Sequence, residues 1–160
     1  MNKVYLLTGG NTGNREQYLL QSANMISAAC GKIVKKSALY ETAAWGKTDQ
    51  PAFLNQALEL HTLLPAAPLM TALLSIEEQM GRKRMEKYGP RIIDIDILLF
   101  NSKTIHSSLV TIPHPELANR RFALVPLNEI APGYIHPVLH KSVTQLLQIC
   151  PDELPVKKFS

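Results

Sequence analysis

The clearest alternation of apolar and polar positions lies just past the middle of the chain. Ile93, Ile95 and Ile97 alternate with Asp94 and Asp96, which is the period of a β-strand whose successive side chains point to opposite faces. The isoleucines can enter a core while both aspartates project from the other face. Because two like charges one pleat apart repel, a strand that keeps both is expected to have cations nearby.

Two stretches show the period of an amphipathic helix. The first follows a glycine-rich loop at 9–13, where Asn11 or Thr12 could serve as the N-cap and Gly31 as the residue after the helix end. The second follows two prolines, which are tolerated in a first helical turn, and ends at Gly81. The predicted buried stripes are Leu19, Ala23, Ile26 and Cys30 in the first helix, and Leu69, Leu73, Ile76 and Met80 in the second.

Three further apolar runs, at 4–8, 33–40 and 53–60, are predicted strands. The order β-α-β-β-α-β is typical of a ferredoxin-like α+β fold, with an antiparallel sheet and helices packed on one face. A helix at 123–130 with Pro126 in its first turn, and another capped by Ser142, predict a C-terminal helical extension. The tail at 157–160 is expected to fray.

Composition indicates one globular domain spanning residues 1–160. The chain is 46% hydrophobic and 19% charged, with a net charge of +4. This charge favours anionic ligands but is small for a nucleic-acid-binding protein.

Cys30 and Cys150 form no C-x-x-C pair, so two buried thiols are expected rather than a disulfide or zinc site. Without a signal peptide or an apolar run of membrane-spanning length, we expect a cytoplasmic protein with no membrane partner. We also expect it to be a monomer.

A basic segment directly precedes the two aspartates. It contains five cations within ten positions: Arg82, Lys83, Arg84, Lys87 and Arg91. Carboxylates beside such a segment suit a magnesium-bound polyphosphate, because Mg²⁺ bridges carboxylate and phosphate oxygens while arginine and lysine neutralise the remaining charge. The alternative is a solvated edge strand that follows a charged loop.

Other residues carry weaker signals of binding. Phe53 and Asn55 share a strand face and could stack on and hydrogen-bond a flat heterocycle, although on their own they fit a core phenylalanine and a structural asparagine better. Trp45, the only tryptophan, lies in a predicted loop and could contact a ligand or fold back on the domain.

Glu77 lies in the last turn of a helix, where an acid is unfavourable, so arginines or a ligand should compensate its charge. His114 precedes two arginines, which favours a phosphate-facing role over a structural one.

Taken together, several motifs resemble the 6-hydroxymethyl-7,8-dihydropterin pyrophosphokinase family of folate synthesis. The matching pieces are Gly9-Gly10-Asn11, Asp49-Gln50-Pro51-Ala52-Phe53-Leu54-Asn55, Glu77 with Gly81-Arg82-x-Arg84, Tyr88-Gly89-Pro90-Arg91-x-x-Asp94-x-Asp96, and Pro113-His114 with Asn119-Arg120-x-Phe122. Each piece is weak alone, but the Gly-Pro-Arg-x-x-Asp-x-Asp run with its downstream partners is highly specific.

The resemblance implies transfer of the ATP pyrophosphoryl group to the pterin hydroxymethyl group, with two Mg²⁺ ions on Asp94 and Asp96. The implied ATP-binding residues are Glu77, Arg82, Arg84, Tyr88, Arg91, Ile97, Thr111, His114 and Arg120. The implied pterin-binding residues are Gly9, Thr42, Ala43, Trp45, Phe53, Asn55, Asp94 and Phe122. Arg82, Arg91 and Asp96 are the implied catalytic residues, and Asp96 could act as base or only as metal ligand.

Four positions depart from the family pattern. The family more often has proline, a smaller apolar residue, arginine and tryptophan at the positions of Ala43, Trp45, Lys87 and Tyr88. These departures bear on loop stiffness and affinity rather than on the reaction.

Two other functions compete with this interpretation. Another Mg²⁺-dependent phosphoryl or nucleotidyl transferase would give the paired aromatic residues no role. A ferredoxin-like RNA-binding module would need aromatic residues in the RNP pattern on adjacent strands, which this sequence lacks.

Overall fold

The computed structural model describes residues 1–43, 49–81 and 91–159. Predictions about Trp45, Arg82, Arg84 and Tyr88 concern positions outside these ranges. In chain order the elements are β1 (Asn2–Gly10), α1 (Arg15–Ala29), β2 (Lys32–Lys36), β3 (Tyr40–Thr42), β4 (Phe53–Thr62), α2 (Ala66–Gln79), β5 (Asp94–Phe100), β6 (Ile105–His106), β7 (Thr111–Ile112), a 3₁₀ turn (Leu117–Asn119), α3 (Arg121–Ile130), α4 (Val143–Gln148) and β8 (Val156–Lys158).

The predicted antiparallel α+β architecture is confirmed. Within the described ranges, six strands form one sheet in the order β5-β1-β4-β3-β8, with β2 also paired to β4, and β6 and β7 form a separate hairpin. The predicted strand at 33–40 is divided into β2 and β3, which pair with successive parts of β4. Between them Ser37 bonds to Ala57 through both its backbone N–H and its side-chain oxygen, so these groups stay paired across the break.

Helices cover both faces of the sheet, where one covered face was expected. Val4 and Leu6 of β1 pack with α1 and α2 in one apolar core, while Tyr5 and Leu7 pack with α3 and α4 in a second. The reason is that both sets of alternating side chains in β1 are apolar, so neither face can be left in water. Phe53 and Asp94, at the strand ends beyond this second core, remain partly exposed.

Two local expectations are wrong. Asn14, not Asn11 or Thr12, caps α1 by accepting the Gln17 N–H. Pro126 lies in the interior of α3 rather than in its first turn.

The C-terminal tail does not fray as expected. Residues 156–158 form the edge strand β8, which pairs with β3. The backbone groups on the outer edge of β3 would otherwise face solvent, and the tail satisfies them.

Other features agree with the sequence. Both predicted helical stripes are buried, and Ser142 caps α4 in a capping box. Cys30 and Cys150 are free thiols, the first buried and the second only partly so. Across the described ranges no helix combines the length and the apolar character needed to cross a membrane.

Candidate active site

The ends of three adjacent strands bring the candidate residues together. Gly9 at the end of β1 pairs with Asn55 of β4 on one side and with Asp94 of β5 on the other. Two residues earlier in β1, Leu7 pairs with Asp96. Alternation along each strand therefore puts both aspartates and Asn55 on the same face of the sheet, as the sequence predicted for the aspartates.

The lack of a side chain at Gly9 makes room for the Asn55 side chain on this face of the sheet. A Cβ added at Gly9 would lie 2.0 Å from Asn55 Nδ2, so any larger residue would displace the amide. The Asn55 side chain instead lies across the glycine and donates a hydrogen bond to the Thr8 carbonyl at 3.3 Å. This contact fixes which way the Asn55 amide oxygen points.

Two buried oxygen atoms at this end of the sheet have no hydrogen-bond partner among the described residues. Asn55 and Thr42 are 6% and 4% exposed, and the unpartnered atoms are Asn55 Oδ1 and Thr42 Oγ1. Thr42 pairs with Phe53, so the three side chains lie on neighbouring positions of β3 and β4. Because an unpaired buried polar atom costs about 1–3 kcal/mol, the arrangement is suited to a ligand that supplies hydrogen-bond donors.

Asn11 holds the loops that frame this end of the sheet. Its side chain is 1% exposed and donates to Gln50 Oε1 and to the Pro51 carbonyl, both at 3.0 Å. Its Oδ1 accepts the Arg91 N–H at 2.9 Å, and its own N–H donates to the Arg91 carbonyl at 2.9 Å. Sequence reasoning assigned Asn11 only a possible capping role, and the family motif Gly9-Gly10-Asn11 was the one signal that could have marked it.

Arg91 also contributes charge to the aspartate pair. Its Nε lies 3.6 Å from Asp94 Oδ2, and the two side chains are 14% and 35% exposed. At this distance the contact is an ion pair rather than a strong hydrogen bond. Arg91 therefore offsets part of the repulsion between Asp94 and Asp96 while Asp94 stays accessible.

A backbone hydrogen bond accounts for the Glu77 carboxylate in the last turn of α2, where arginines or a ligand were expected to compensate its charge. It is 5% exposed, and its Oε2 accepts the Ile95 N–H at 2.6 Å. Since β5 is the edge strand of the described sheet, this N–H has no neighbouring described strand to pair with, and the carboxylate replaces one. Glu77 thus fixes β5 at the residue between the two aspartates.

His114 can offer the Nε2–H group of its ring to a ligand as a hydrogen-bond donor. Its backbone N–H donates to the Leu98 carbonyl at 3.0 Å, and its Nδ1 accepts the Glu116 N–H at 3.1 Å. Burial and the nearby Arg120 guanidinium lower the pKa of His114 to about 4. At neutral pH the ring is therefore uncharged, and because Nδ1 is an acceptor, Nε2 carries the proton and can donate.

Of the remaining predicted residues, Ile97 faces the opposite core, and the others in the described ranges are partly or fully exposed. The Arg120 guanidinium lies 5.7 Å from the centre of the Phe122 ring, and Phe122 is half-buried against the second core. Thr111 is half-buried in β7, and Ala43 is exposed directly after β3. Ile97 is 3% exposed and its side chain belongs to the opposite core, so only its backbone could meet a ligand.

Comparison with known proteins gives consistent matches. The family model described as 7,8-dihydro-6-hydroxymethylpterin-pyrophosphokinase (HPPK) matches residues 5–132. The 2-amino-4-hydroxy-6-hydroxymethyldihydropteridine pyrophosphokinase of Aquifex aeolicus (strain VF5) is 40% identical over 145 residues, covering 91% of this chain and 90% of that protein. The protein of the same name from Bacillus subtilis (strain 168) is 41% identical over 130 residues, covering 81% of this chain and 78% of that protein.

Among solved structures, the chain is similar to an HPPK-DHPS crystallised in complex with substrates. The TM-score is 0.75 at 18% sequence identity, over 92% of this chain and 43% of that chain. At this identity the likeness concerns the fold, and this chain corresponds to less than half of the longer protein.

Asn11→Ala should lower the free energy of unfolding by about 2–4 kcal/mol, because it removes the buried side-chain hydrogen bonds that join residue 11 to residues 50, 51 and 91. Urea denaturation of the variant and the parent measures the change. Asn24→Ala is the matched control, since Asn24 is exposed on α1 and its loss should change stability by no more than about 0.5 kcal/mol. Equal effects of the two substitutions would contradict the framing role of Asn11.

His114 should make stability depend on pH between about 4 and 6.5, its folded and ordinary pKa values. In this range the unfolded chain binds a proton that the folded chain does not, so the free energy of unfolding falls as pH drops from 6.5 toward 4. His114→Gln should reduce that slope, as measured by urea denaturation at several pH values. Asn24→Ala, which removes no titratable group from an exposed position of α1, should keep the parent's slope, and a His114→Gln slope equal to the parent's would refute the assignment.

Proposed function

Because the chain belongs to the 7,8-dihydro-6-hydroxymethylpterin-pyrophosphokinase family, we propose that the strand ends described above are where its two substrates meet. The enzyme is a transferase of folate synthesis. It moves the pyrophosphoryl group of ATP onto the hydroxymethyl group of 6-hydroxymethyl-7,8-dihydropterin, and AMP is left. The tasks are binding of the pterin, binding of the metal and alignment of the phosphates, and Asp94 and Asp96 each serve more than one of them.

The pterin occupies the β3–β4 side of the site. The observation that carries this assignment is the pair of buried oxygens on Asn55 and Thr42 that have no partner among the described residues, because a pterin edge carries N–H donors that would satisfy them. Phe53 and Phe122 offer aromatic faces for stacking on the ring. The proposed pterin contacts are completed by Gly9, Ala43, Trp45 and Asp94.

Asp94 and Asp96 would hold magnesium on the β5 side of the site, with two ions expected. Both carboxylates project from one strand face and are partly exposed, and carboxylate oxygens are ligands that Mg²⁺ prefers. Within the described part of the chain no three His, Cys, Asp or Glu side chains cluster as a metal site. Asp94 and Asp96 would therefore supply the protein's carboxylate ligands, one or two of which are usual where Mg²⁺ binds together with substrate phosphates. When bound, the metal supplies charge neutralisation at the phosphates.

The cationic side chains align and neutralise the ATP phosphates. Arg91 and Arg120 supply charge, and His114 donates a hydrogen bond from Nε2 without adding charge. Asp96 orients the hydroxymethyl group or takes its proton, and Arg91 is active in the transfer itself together with Arg82. The remaining proposed ATP contacts are Glu77, which keeps β5 in place, the Ile97 backbone, Thr111, Arg84 and Tyr88.

We further propose that residues 1–160 form one domain that acts as a cytoplasmic monomer. The sharing of strands β1 and β4 by both apolar cores supports a single folding unit. Light scattering of the purified chain tests the monomer directly.

Asp94→Asn and Asp96→Asn should each lower turnover by about a hundredfold or more, as expected for removing a charge that stabilises the transition state. Both should also reduce the Mg²⁺-dependent part of the affinity for a non-hydrolysable ATP analogue, measured by calorimetry with and without Mg²⁺. The fold should be retained because neither side chain is in a core. Glu78→Gln, an exposed carboxylate on α2, is the control, and near-parental turnover of either aspartate variant would contradict the metal assignment.

A further inference from the structure

The C-terminal tail is built into the side of the site where the pterin is proposed to bind. β3 has three residues, and β8 pairs with all of them, placing Val156 beside Thr42, Lys157 beside Glu41 and Lys158 beside Tyr40. Phe159 extends this pairing by donating its N–H to the Leu39 carbonyl at 2.8 Å. A strand this short has little stability when only one neighbour pairs with it, so β8 contributes substantially to holding β3.

Arg15 contacts the tail and the residues that directly precede Thr42 and Phe53. Its Nη1 lies 2.7 Å from Glu41 Oε2 and donates to the Ala52 carbonyl at 2.9 Å. Its guanidinium carbon lies 5.4 Å from the centre of the Phe159 ring, within the range of a cation–π contact. One side chain at the start of α1 therefore connects the residue before Thr42, the residue before Phe53 and the end of the chain.

The start of β3 is held from the other side of the sheet. Glu129 of α3 accepts the Tyr40 hydroxyl at 2.5 Å and the Ala38 N–H at 3.0 Å. Burial, and then the Glu129 carboxylate, raise the pKa of Tyr40 to about 12, so the hydroxyl remains a donor at any physiological pH. With the start of β3 fixed by Glu129, its far end at Thr42 depends on β4, β8 and Arg15.

We propose that β8 and Phe159, acting through Arg15, are positioning elements of the pterin site: they fix Thr42 Oγ1 relative to Asn55 Oδ1 so that both meet the same ligand edge. This inference rests on the pterin site proposed above. It assigns a role in substrate binding to a tail that lies beyond the family match, which ends at residue 132. These elements act on the pterin indirectly, through Thr42 and, by way of Ala52, through Phe53, and none of them is a catalytic residue.

Phe159→Ala and Arg15→Gln test the proposal without removing the strand. Each should weaken the binding of 6-hydroxymethyl-7,8-dihydropterin, titrated at saturating Mg²⁺ and ATP analogue, by about threefold to tenfold, the loss that one weakened hydrogen bond causes. Affinity for the ATP analogue should stay within about twofold of the parent's, because none of the contacts described for these two side chains reaches β5. In steady-state assays the pterin KM should rise while kcat at saturation changes little.

Two controls separate positioning from general stability. Lys157→Ala removes an exposed side chain from the same strand and should leave both affinities unchanged, while Phe159→Tyr keeps the ring and should retain parental pterin binding. A chain truncated after Pro155 should lose more pterin affinity than either point variant. If that chain does not fold, the point variants decide the question, since their circular dichroism establishes whether the fold is intact.

The outcomes also distinguish this inference from the pterin site on which it rests. Asn55→Ala should weaken pterin binding in any case, and if it does not, the pterin assignment itself is wrong. If Asn55→Ala weakens binding but Phe159→Ala and Arg15→Gln match Lys157→Ala, the positioning role is refuted. Equal losses of pterin and ATP-analogue affinity in the two variants would likewise refute it, because they would indicate a general structural effect.

Discussion

The buried carboxylate of Glu77 is the contact on which the β5 side of the site depends. It accepts the Ile95 N–H at 2.6 Å and so replaces a neighbouring strand at the edge of the described sheet. Asp94 and Asp96 flank the residue it holds and put two carboxylates on one face of this short strand. Arg91 offsets part of this charge. Such a segment is energetically suited to a bound cation, because added positive charge relieves repulsion that the fold cannot avoid.

The two sides of the site are coupled through the central strand. Gly9 of β1 pairs with Asn55 on one side and Asp94 on the other, and its missing side chain makes room for the Asn55 amide. Asn11, two residues further, ties the start of the β5 segment to the loop that precedes β4. The spacing between the proposed pterin and phosphate positions is therefore set by strand pairing, which supports in-line transfer by positioning rather than by covalent chemistry.

Short-range periodicity in the sequence predicted the features that depend on it. Alternation at 93–97 identified β5 and put both aspartates on one face, and the stripe from Leu69 to Met80 identified α2. Features set by distant partners were not predictable. Asn11 carries a local capping signal, yet its partners lie 39 and 80 residues away. β8 is too short to show a period, and it forms because β3 offers an unpaired edge.

A crystal structure with Mg²⁺, 6-hydroxymethyl-7,8-dihydropterin and a non-hydrolysable ATP analogue tests the central claim most directly. We predict that Asn55 Oδ1 and Thr42 Oγ1 each lie within about 3.2 Å of a pterin nitrogen, with the metal bound between Asp94, Asp96 and phosphate oxygens. A pterin bound elsewhere, with both oxygens still unpartnered, would contradict the proposed site. So would phosphates bound away from β5 with no metal on either aspartate.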